Sequence, residues 1–329
     1  MNSKTTLKTG EVMTTRIIDD PQDDDAASIQ RLLVHKGQPW ETHIAEWAAG
    51  NIRKLETRFY VGEIDGVLVA NIMTIEYRGI GIMGHVFTDP GHRKKGICDV
   101  LMDLHMEDFR DRDGIVLCLG TWYRSVPYGI YERHGYQATP GRPGSMWWSP
   151  RKWDADTRFD ELDIYENLPR SSIEDPQWHH WPSMNVFTQI PTKQTVRNFT
   201  FGLIGIQQSE HEYLDLFINL ESDSETNTQV KILETTGGNV AGLASLAPDK
   251  RWRNQGITWV FDAFVHPEAL ERIPDLADEF EWPDAHVLTY VSEEDNEVID
   301  QLARAGFKPH SHVERFFRDD TGLIIMDRD

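Results

Sequence analysis

The last third of the chain repeats, in order, the elements of its first part, and this limits what it can fold into. Apolar runs at 84–88 and 259–265 read as strands, and each closes on a residue followed by proline, Asp89-Pro90 and His266-Pro267. Continuous apolar runs follow at 115–119 and 287–291, the composition of strands buried on both faces. Helical segments then stop at Gly135-Tyr136 and Gly306-Phe307, where glycine supplies a left-handed cap. Upstream, Val69-Ala70-Asn71-Ile72 resembles Val240-Ala241-Gly242-Leu243. A chain of 329 residues suits two domains, and a repeat of this order makes the second a shorter version of the first.

From Thr15 the first copy reads β-α-α-β-β-β-α-β-α-β. Residues 16–18 form a short strand, 25–34 and 41–52 are helices, and 59–64, 67–77 and 80–88 are strands. Asp65-Gly66 is a hairpin turn. A helix starts at Ile97, and another runs from about Val126 to His134. The expected class is α/β (α+β), with a mixed, mostly antiparallel central sheet flanked by helices in each domain. The division is 14–150, a Trp/Pro-rich ordered connector over 151–195, and 196–329. The connector is too aromatic for a disordered linker.

Charge and cysteine content narrow the partners. With 54 acidic against 33 basic residues the net charge is −21; such a surface repels phosphate backbones, so nucleic acid is not expected. It attracts cations, or serves only solubility. Two cysteines, Cys98 and Cys118, make neither a disulfide framework nor a zinc site and fit a reducing cytoplasm. No signal-like segment and no apolar run long enough to cross a membrane is present, so a cytoplasmic monomer or homodimer is expected. No metal is expected either: in Trp178-His179-His180-Trp181, adjacent histidines on an extended chain point opposite ways.

Chemistry concentrates between the strand at 84–88 and the helix at Ile97. There stands Arg93-Lys94-Lys95-Gly96-Ile97-Cys98. The first turn of a helix leaves backbone N–H groups without partners, and the helix dipole adds positive potential. A pyrophosphate fits such a place where a glycine permits close approach. Three cations in a row stand out in an acidic chain; the alternative is a solvated basic turn.

This segment resembles the acetyl-CoA loop of the GNAT superfamily of N-acetyltransferases, whose pattern is Gln/Arg-x-x-Gly-x-Gly/Ala. Arg93 and Gly96 match, and Cys98 stands where the family has Gly or Ala. Residues 86–92 resemble the family's fourth strand and its Pro-led turn. Tyr131-Glu132-Arg133-His134-Gly135-Tyr136 resembles the family's Tyr-x-x-x-Gly-Phe/Tyr helix end. The resemblance spans about residues 14–150 and implies two GNAT-like domains in tandem, the first active and the second degenerate.

The resemblance further implies an acyltransferase moving acetyl from acetyl-CoA, its co-substrate, to a primary amine of a small molecule or peptide. Backbone amides of Lys94, Lys95, Gly96, Ile97, Cys98 and Asp99 would hold the pyrophosphate. The strand edge at Val86, Phe87 and Thr88 would take the pantetheine arm as a peptide adds to a sheet. In the family that strand often carries a bulge and splays from its neighbour. An amine is mostly protonated at pH 7, so a base must take a proton. His85 and Glu76 are candidates, each also readable as an ordinary strand residue. Tyr131 falls where the family places the proton donor for the leaving thiolate, or is a packing residue. Arg124 and Pro127 depart from the family's Asn and small residue. Trp40, Trp122 and Tyr123 fall in loops bordering the family's acceptor site and can stack on a cation. The second copy has Glu268 and Glu271 where phosphate would lie and Leu302 in the place of Tyr131. A non-catalytic CoA-binding regulatory or scaffold protein is the alternative.

Overall fold

The computed structural model describes residues 2–20, 23–52, 54–150, 163–222, 227–249 and 258–328. The chain divides into two compact units, residues 1–155 with 181–183, and residues 156–180 with 184–329. No helix among the described residues is long and apolar enough to cross a membrane.

The first unit runs β1 (Asn2–Thr6), β2 (Val12–Ile18), α1 (Asp23–Leu33), α2 (Trp40–Ala48), β3 (Glu56–Ile64), β4 (Val67–Tyr77), β5 (Ile80–Thr88), α3 (Ile97–Asp111), β6 (Val116–Gly120), α4 (Val126–Arg133), β7 (Gln137–Thr139) and β8 (Arg142–Trp148). The strands form one sheet in the order β1-β2-β3-β4-β5-β6-β8-β7. β5 and β6 run parallel and the other neighbours antiparallel. Asp65 and Gly66, both at positive φ, turn β3 into β4 with the twist a tight hairpin requires. α3 lays Leu101, Met102 and Phe109 into a core with Tyr60, Ile72, Met83 and Leu117. Trp47 of α2 packs on Phe59 with ring centroids 4.5 Å apart.

The remaining elements are β9 (Ser172–Glu174), α5 (His180–Phe187), β10 (Val196–Asn198), β11 (Leu203–Ile204), α6 (Glu210–Ser222), β12 (Gln229–Glu234), β13 (Val240–Pro248), β14 (Thr258–Val265), α7 (Ile273–Asp278), β15 (His286–Ser292), α8 (Asn296–Arg304), β16 (Lys308–Val313) and β17 (Leu323–Arg328). The second sheet has the order β16-β17-β15-β14-β13-β12-β9, with β14 and β15 parallel. Read from β12, this is the first sheet's β3-β4-β5-β6-β8-β7 again. The expected class, mixed and mostly antiparallel sheets flanked by helices in two related domains, is what the structure has.

The repeat extends to single hydrogen bonds. Asp89 N donates to Val69 O and His266 N to Ala241 O, each at 2.8 Å; His92 N and Ala269 N then close the same turn. Tyr136 N reaches Tyr131 O and Phe307 N reaches Leu302 O, each at 3.0 Å, behind Gly135 and Gly306 at φ 88 and 93.

Several elements differ from expectation. β1 is an additional edge strand, and β2 starts at Val12 instead of Arg16. Residues 137–148 form a hairpin that carries Trp147 and Trp148 into the sheet. Within the expected connector, 151–162 lie outside the described residues, and β9 pairs with β12 as an edge strand of the second sheet.

Candidate functional site

The loop between β5 and α3 is built to leave backbone donors open. Asp89 accepts from Gly91 N at 2.9 Å and lies 3.1 Å from His92 Nδ1, which fixes the Pro-led turn. Lys94 and Gly96 then take positive φ, 63 and 87, and α3 begins with Gly96 as a cap that offers no side chain. Left-handed residues leading into a right-handed helix turn successive N–H groups toward one concavity, an anion-binding arrangement. A Cβ at Gly96 would meet Lys8 Cε at 3.4 Å, so the β1–β2 hairpin lies beside the loop. That hairpin also takes one of the three cations: Lys95 Nζ pairs with Glu11 at 2.7 Å. Arg93 Nε donates to Thr88 O at 3.0 Å, while Lys94 stays exposed. The basic run is therefore partly structural.

Upstream of the loop the sheet opens. β5 and β6 share the rungs Ile80–Val116, Gly81–Leu117 and Ile82–Cys118, and none beyond them. β6 continues along β8 to Gly120. The β5 backbone from Met83 to Thr88 thus borders a wedge. At the same place β5 bulges: Asn71 faces Phe87, Met73 faces Gly84, and Ile72 alone faces His85 and Val86. His85 sits at φ 50, a left-handed conformation that a β-bulge accommodates. Asn71 Nδ2 donates to His85 O at 3.1 Å and holds the bulge from the neighbouring strand. The only mark of Asn71 in the sequence is that it is a polar residue inside the apolar run 69–73.

The structure separates the candidate side chains. His85 is 6% exposed, with Trp40 edge-on at 4.7 Å. Burial, with lesser contributions from His43, Lys36 and His35, holds its imidazole well below the ordinary value. Its Nε2 has no hydrogen-bond partner among the described residues. His35 lies on Phe87, ring centroids 4.3 Å apart, so the α1–α2 turn covers this end of β5. Tyr131 is buried on α4, whose start is capped by Ser125 accepting from Tyr128 N at 3.2 Å. Val86 and Tyr131 share the core under α3.

Glu76 lies elsewhere. Its two oxygens each accept from Arg112 at 2.7 Å, Arg112 also binds Asp108 at 2.9 Å, and Tyr60 donates to Asp108 at 2.6 Å. Burial pushes the Glu76 carboxyl upward and the guanidinium pulls it back. Arg112 caps the C-terminus of α3, the end opposite the loop. Burial and Asp99 push the Cys98 thiol up to about 11, which disfavours its thiolate at neutral pH. Asp99 is bonded by Arg133 and His134 of the α4 end, at 3.3 and 3.2 Å, tying the two helices together. Trp122 is 87% exposed and Tyr123 50%, on the loop between β6 and α4, with Tyr123 against Tyr128 and under Arg124.

In the second unit the parallel pair again shares three rungs, Thr258–His286, Trp259–Val287 and Val260–Leu288. β13 and β14 stay in even register from Gly242–Val265 to Pro248–Trp259, without a bulge. After His266 the chain passes through a 3₁₀ stretch into α7, whose six residues contrast with the 15 of α3. His179 and His180 do not point apart. They occupy a turn opening α5, their rings 4.2 Å apart and both Nε2 atoms on Glu234 Oε2, at 3.0 and 2.5 Å.

A family model for the acetyltransferase (GNAT) domain matches residues 56–138. No curated protein sequence matches the chain. Among solved structures, a ribosomal-protein-alanine N-acetyltransferase from Brucella melitensis is similar at 15% identity and TM-score 0.37, covering 48% of this chain and 98% of its own. An acetyltransferase of the GNAT family from Streptococcus pneumoniae gives 13% and 0.36, covering 48% and 98%. An aminoglycoside 6'-N-acetyltransferase complexed with coenzyme A gives 16% and 0.32, covering 42% and 99%. The matched segment runs from β3 through the loop and α3 to β7, so the first unit carries the stretch that is similar to the GNAT acetyltransferase domain.

Proposed function

We propose that the first unit transfers an acetyl group from acetyl-CoA to a primary amine of a small molecule or peptide. The observation that carries this reading is the junction of two features on one strand. β5 is bulged and unpaired along the wedge, and it leads within eight residues into a left-handed glycine opening α3. In this reading the N–H groups of Ile97, Cys98 and Asp99 hold the pyrophosphate, and the β5 edge at Val86 and Phe87 takes the pantetheine arm. Thr88 contributes its N–H alone, because Arg93 already uses its carbonyl.

The amine nitrogen attacks the thioester carbon, its C–N bond forms, and the C–S bond breaks. A backbone N–H at the bulge stabilises the oxyanion between these events. Attack makes the nitrogen acidic, and its proton passes to His85, directly or through water. A depressed pKa keeps His85 neutral at pH 7, with a ring nitrogen available as acceptor. The Tyr131 hydroxyl protonates the departing thiolate. Glu76 takes no proton in this scheme; it is spent on Arg112. Trp40 lines the amine's approach, with Trp122 and Tyr123 at the rim, and the net charge of −21 favours a cationic acceptor.

The test is release of CoA thiol from acetyl-CoA by the purified chain across a panel of polyamines, aminoglycosides and N-terminal or lysine-bearing peptides. The reading expects amine-dependent release that Tyr131→Phe suppresses. Binding of acetyl-CoA with no release for any amine would favour a CoA-binding regulator instead.

A further inference from the structure

We propose that His286, His310 and Asp327 of the second unit form a binding site for a divalent first-row transition-metal ion, with Zn²⁺ as the probe. The three residues stand on neighbouring strands, β15, β16 and β17. Asp327 Oδ2 lies 3.2 Å from His286 Nε2 and 3.2 Å from His310 Nδ1. One ligand atom from each residue falls within 4.8 Å of the others. Ligands about 2.0–2.1 Å from a tetrahedral zinc lie about 3.3 Å apart, so two of the three separations already match. Rotation of half-exposed rings supplies the third.

The sheet provides the third ligand by a local irregularity. β16 faces β17 at Lys308–Asp327 and Pro309–Met326, then slips so that Ser311 faces Ile325. The extra residue is His310, and its ring reaches Asp327 across the pair. Bulges commonly serve to re-aim a side chain in this way.

Proton placement distinguishes this cluster from its closest rival. His179, His180 and Glu234 have similar spacing. There, however, Gln177 N donates to His180 Nδ1 at 3.0 Å, so the ring proton sits on Nε2 and is given to Glu234 at 2.5 Å. That nitrogen has no lone pair for a metal, and the cluster closes as a hydrogen-bonded clasp. At His286 and His310 no hydrogen bond among the described residues fixes the second ring nitrogen. Each ring can carry its proton on that side, toward solvent, and turn a lone pair to the ion. Side-chain exposures of 39% and 50% leave room for water to complete the coordination. Cations do not occupy the place: Lys308 makes no ion pair with Asp327 among the described residues, and Arg328 is drawn to Trp282, 3.8 Å from its ring, and to Ala305 O. Two imidazoles and one carboxylate select ions such as Zn²⁺, Ni²⁺ or Cu²⁺ over Mg²⁺ or Ca²⁺, which prefer all-oxygen shells. Every residue of β16 is exposed, so the ion would pin an edge strand to the sheet.

The experiment is calorimetric titration of the tag-free, chelator-stripped full chain with Zn²⁺ at neutral pH in excess Mg²⁺. The parent should bind one equivalent that His286→Ala and His310→Ala each weaken by at least about tenfold. His312→Ala is the control, since His312 lies on the same strand but pairs with Glu293 at 2.7 Å; it should bind as the parent does. Unchanged circular dichroism confirms that the variants fold. No binding by the parent, affinity that survives either histidine substitution, or an equal loss in His312→Ala overturns the site.

Discussion

β5 and β14 hold the same position in their sheets, yet the backbone each exposes beside its parallel neighbour is satisfied differently. A splayed parallel pair leaves N–H and C=O groups that must find partners. In the second unit the chain itself supplies them. Gln194 Nε2 donates to Val265 O at 2.7 Å and its Oε1 accepts from Val265 N at 3.4 Å. Asp262 accepts from Phe199 N and Thr200 N, at 2.8 and 3.0 Å, and from the Thr200 hydroxyl at 2.7 Å. Phe199 stacks on Tyr290 of β15, ring centroids 4.0 Å apart. Residues 194–200 therefore lie at the place that corresponds to the wedge beside β5 in the first unit. The shared turn hydrogen bonds make Val265 the counterpart of Thr88. In the proposed function, one architecture serves as a cofactor site when bulged and open, and as a closed domain when even and filled.

The largest effect is expected at Gly96. Gly96→Glu forces a side chain onto φ 87 and puts a carboxylate at the helix terminus. The left-handed strain alone is worth about 1–2 kcal/mol, and with charge repulsion acetyl-CoA affinity should fall at least about 100-fold. Calorimetry reads this directly. Tyr131→Phe should lower kcat by about 10²-fold while leaving acetyl-CoA binding intact, because only the proton donor is lost; steady-state kinetics beside equilibrium binding separates the two.

Asn71→Leu tests the bulge. Losing the bond to His85 O should lower kcat by about tenfold, the equivalent of a buried hydrogen bond, with far-UV circular dichroism unchanged. In the second unit, Asp262→Asn should destabilise by about 1–3 kcal/mol in denaturant unfolding and leave acetyl-CoA affinity as it was.

Acid should also separate the units. Burial holds His43 and His105 down to about 3, and His85 well below its ordinary value. The unfolded chain takes up these protons from about pH 6.5 downward while the folded unit does not, so the first unit loses stability as pH falls from about 6.5 toward 3. Glu234 of the second unit is held at about 2 by His180 and His179, from 4.5. Its contribution is complete above 4.5 and lost between 4.5 and 2. Hydrogen exchange, corrected for intrinsic rates, should therefore show amides of the first unit loosening at the higher pH.

Much of this was legible in the chain. The Pro-led turns, the Gly-aromatic helix ends and the loop at Gly96 are local, because each is set by a glycine or proline whose backbone preference acts within a few residues. What stayed hidden depends on distant partners. Lys95 meets Glu11 and Glu76 meets Arg112, and no local pattern links either pair. β1 is a polar edge strand without apolar alternation, and β8 begins with Arg142-Pro143-Gly144, which reads as a loop. The filling of the second wedge by Gln194 and Phe199 needed the fold to be seen. His310 meets its neighbours only because β16 slips by one residue, an irregularity that leaves no trace in composition.

The most direct test of two wedges with opposite fates is the stoichiometry of acetyl-CoA binding to the intact chain, measured by calorimetry on the parent, Gly96→Glu and Gln194→Ala. One acetyl-CoA should bind per chain, retained in Gln194→Ala and lost in Gly96→Glu. Two equivalents in the parent, or binding that survives Gly96→Glu, would contradict this.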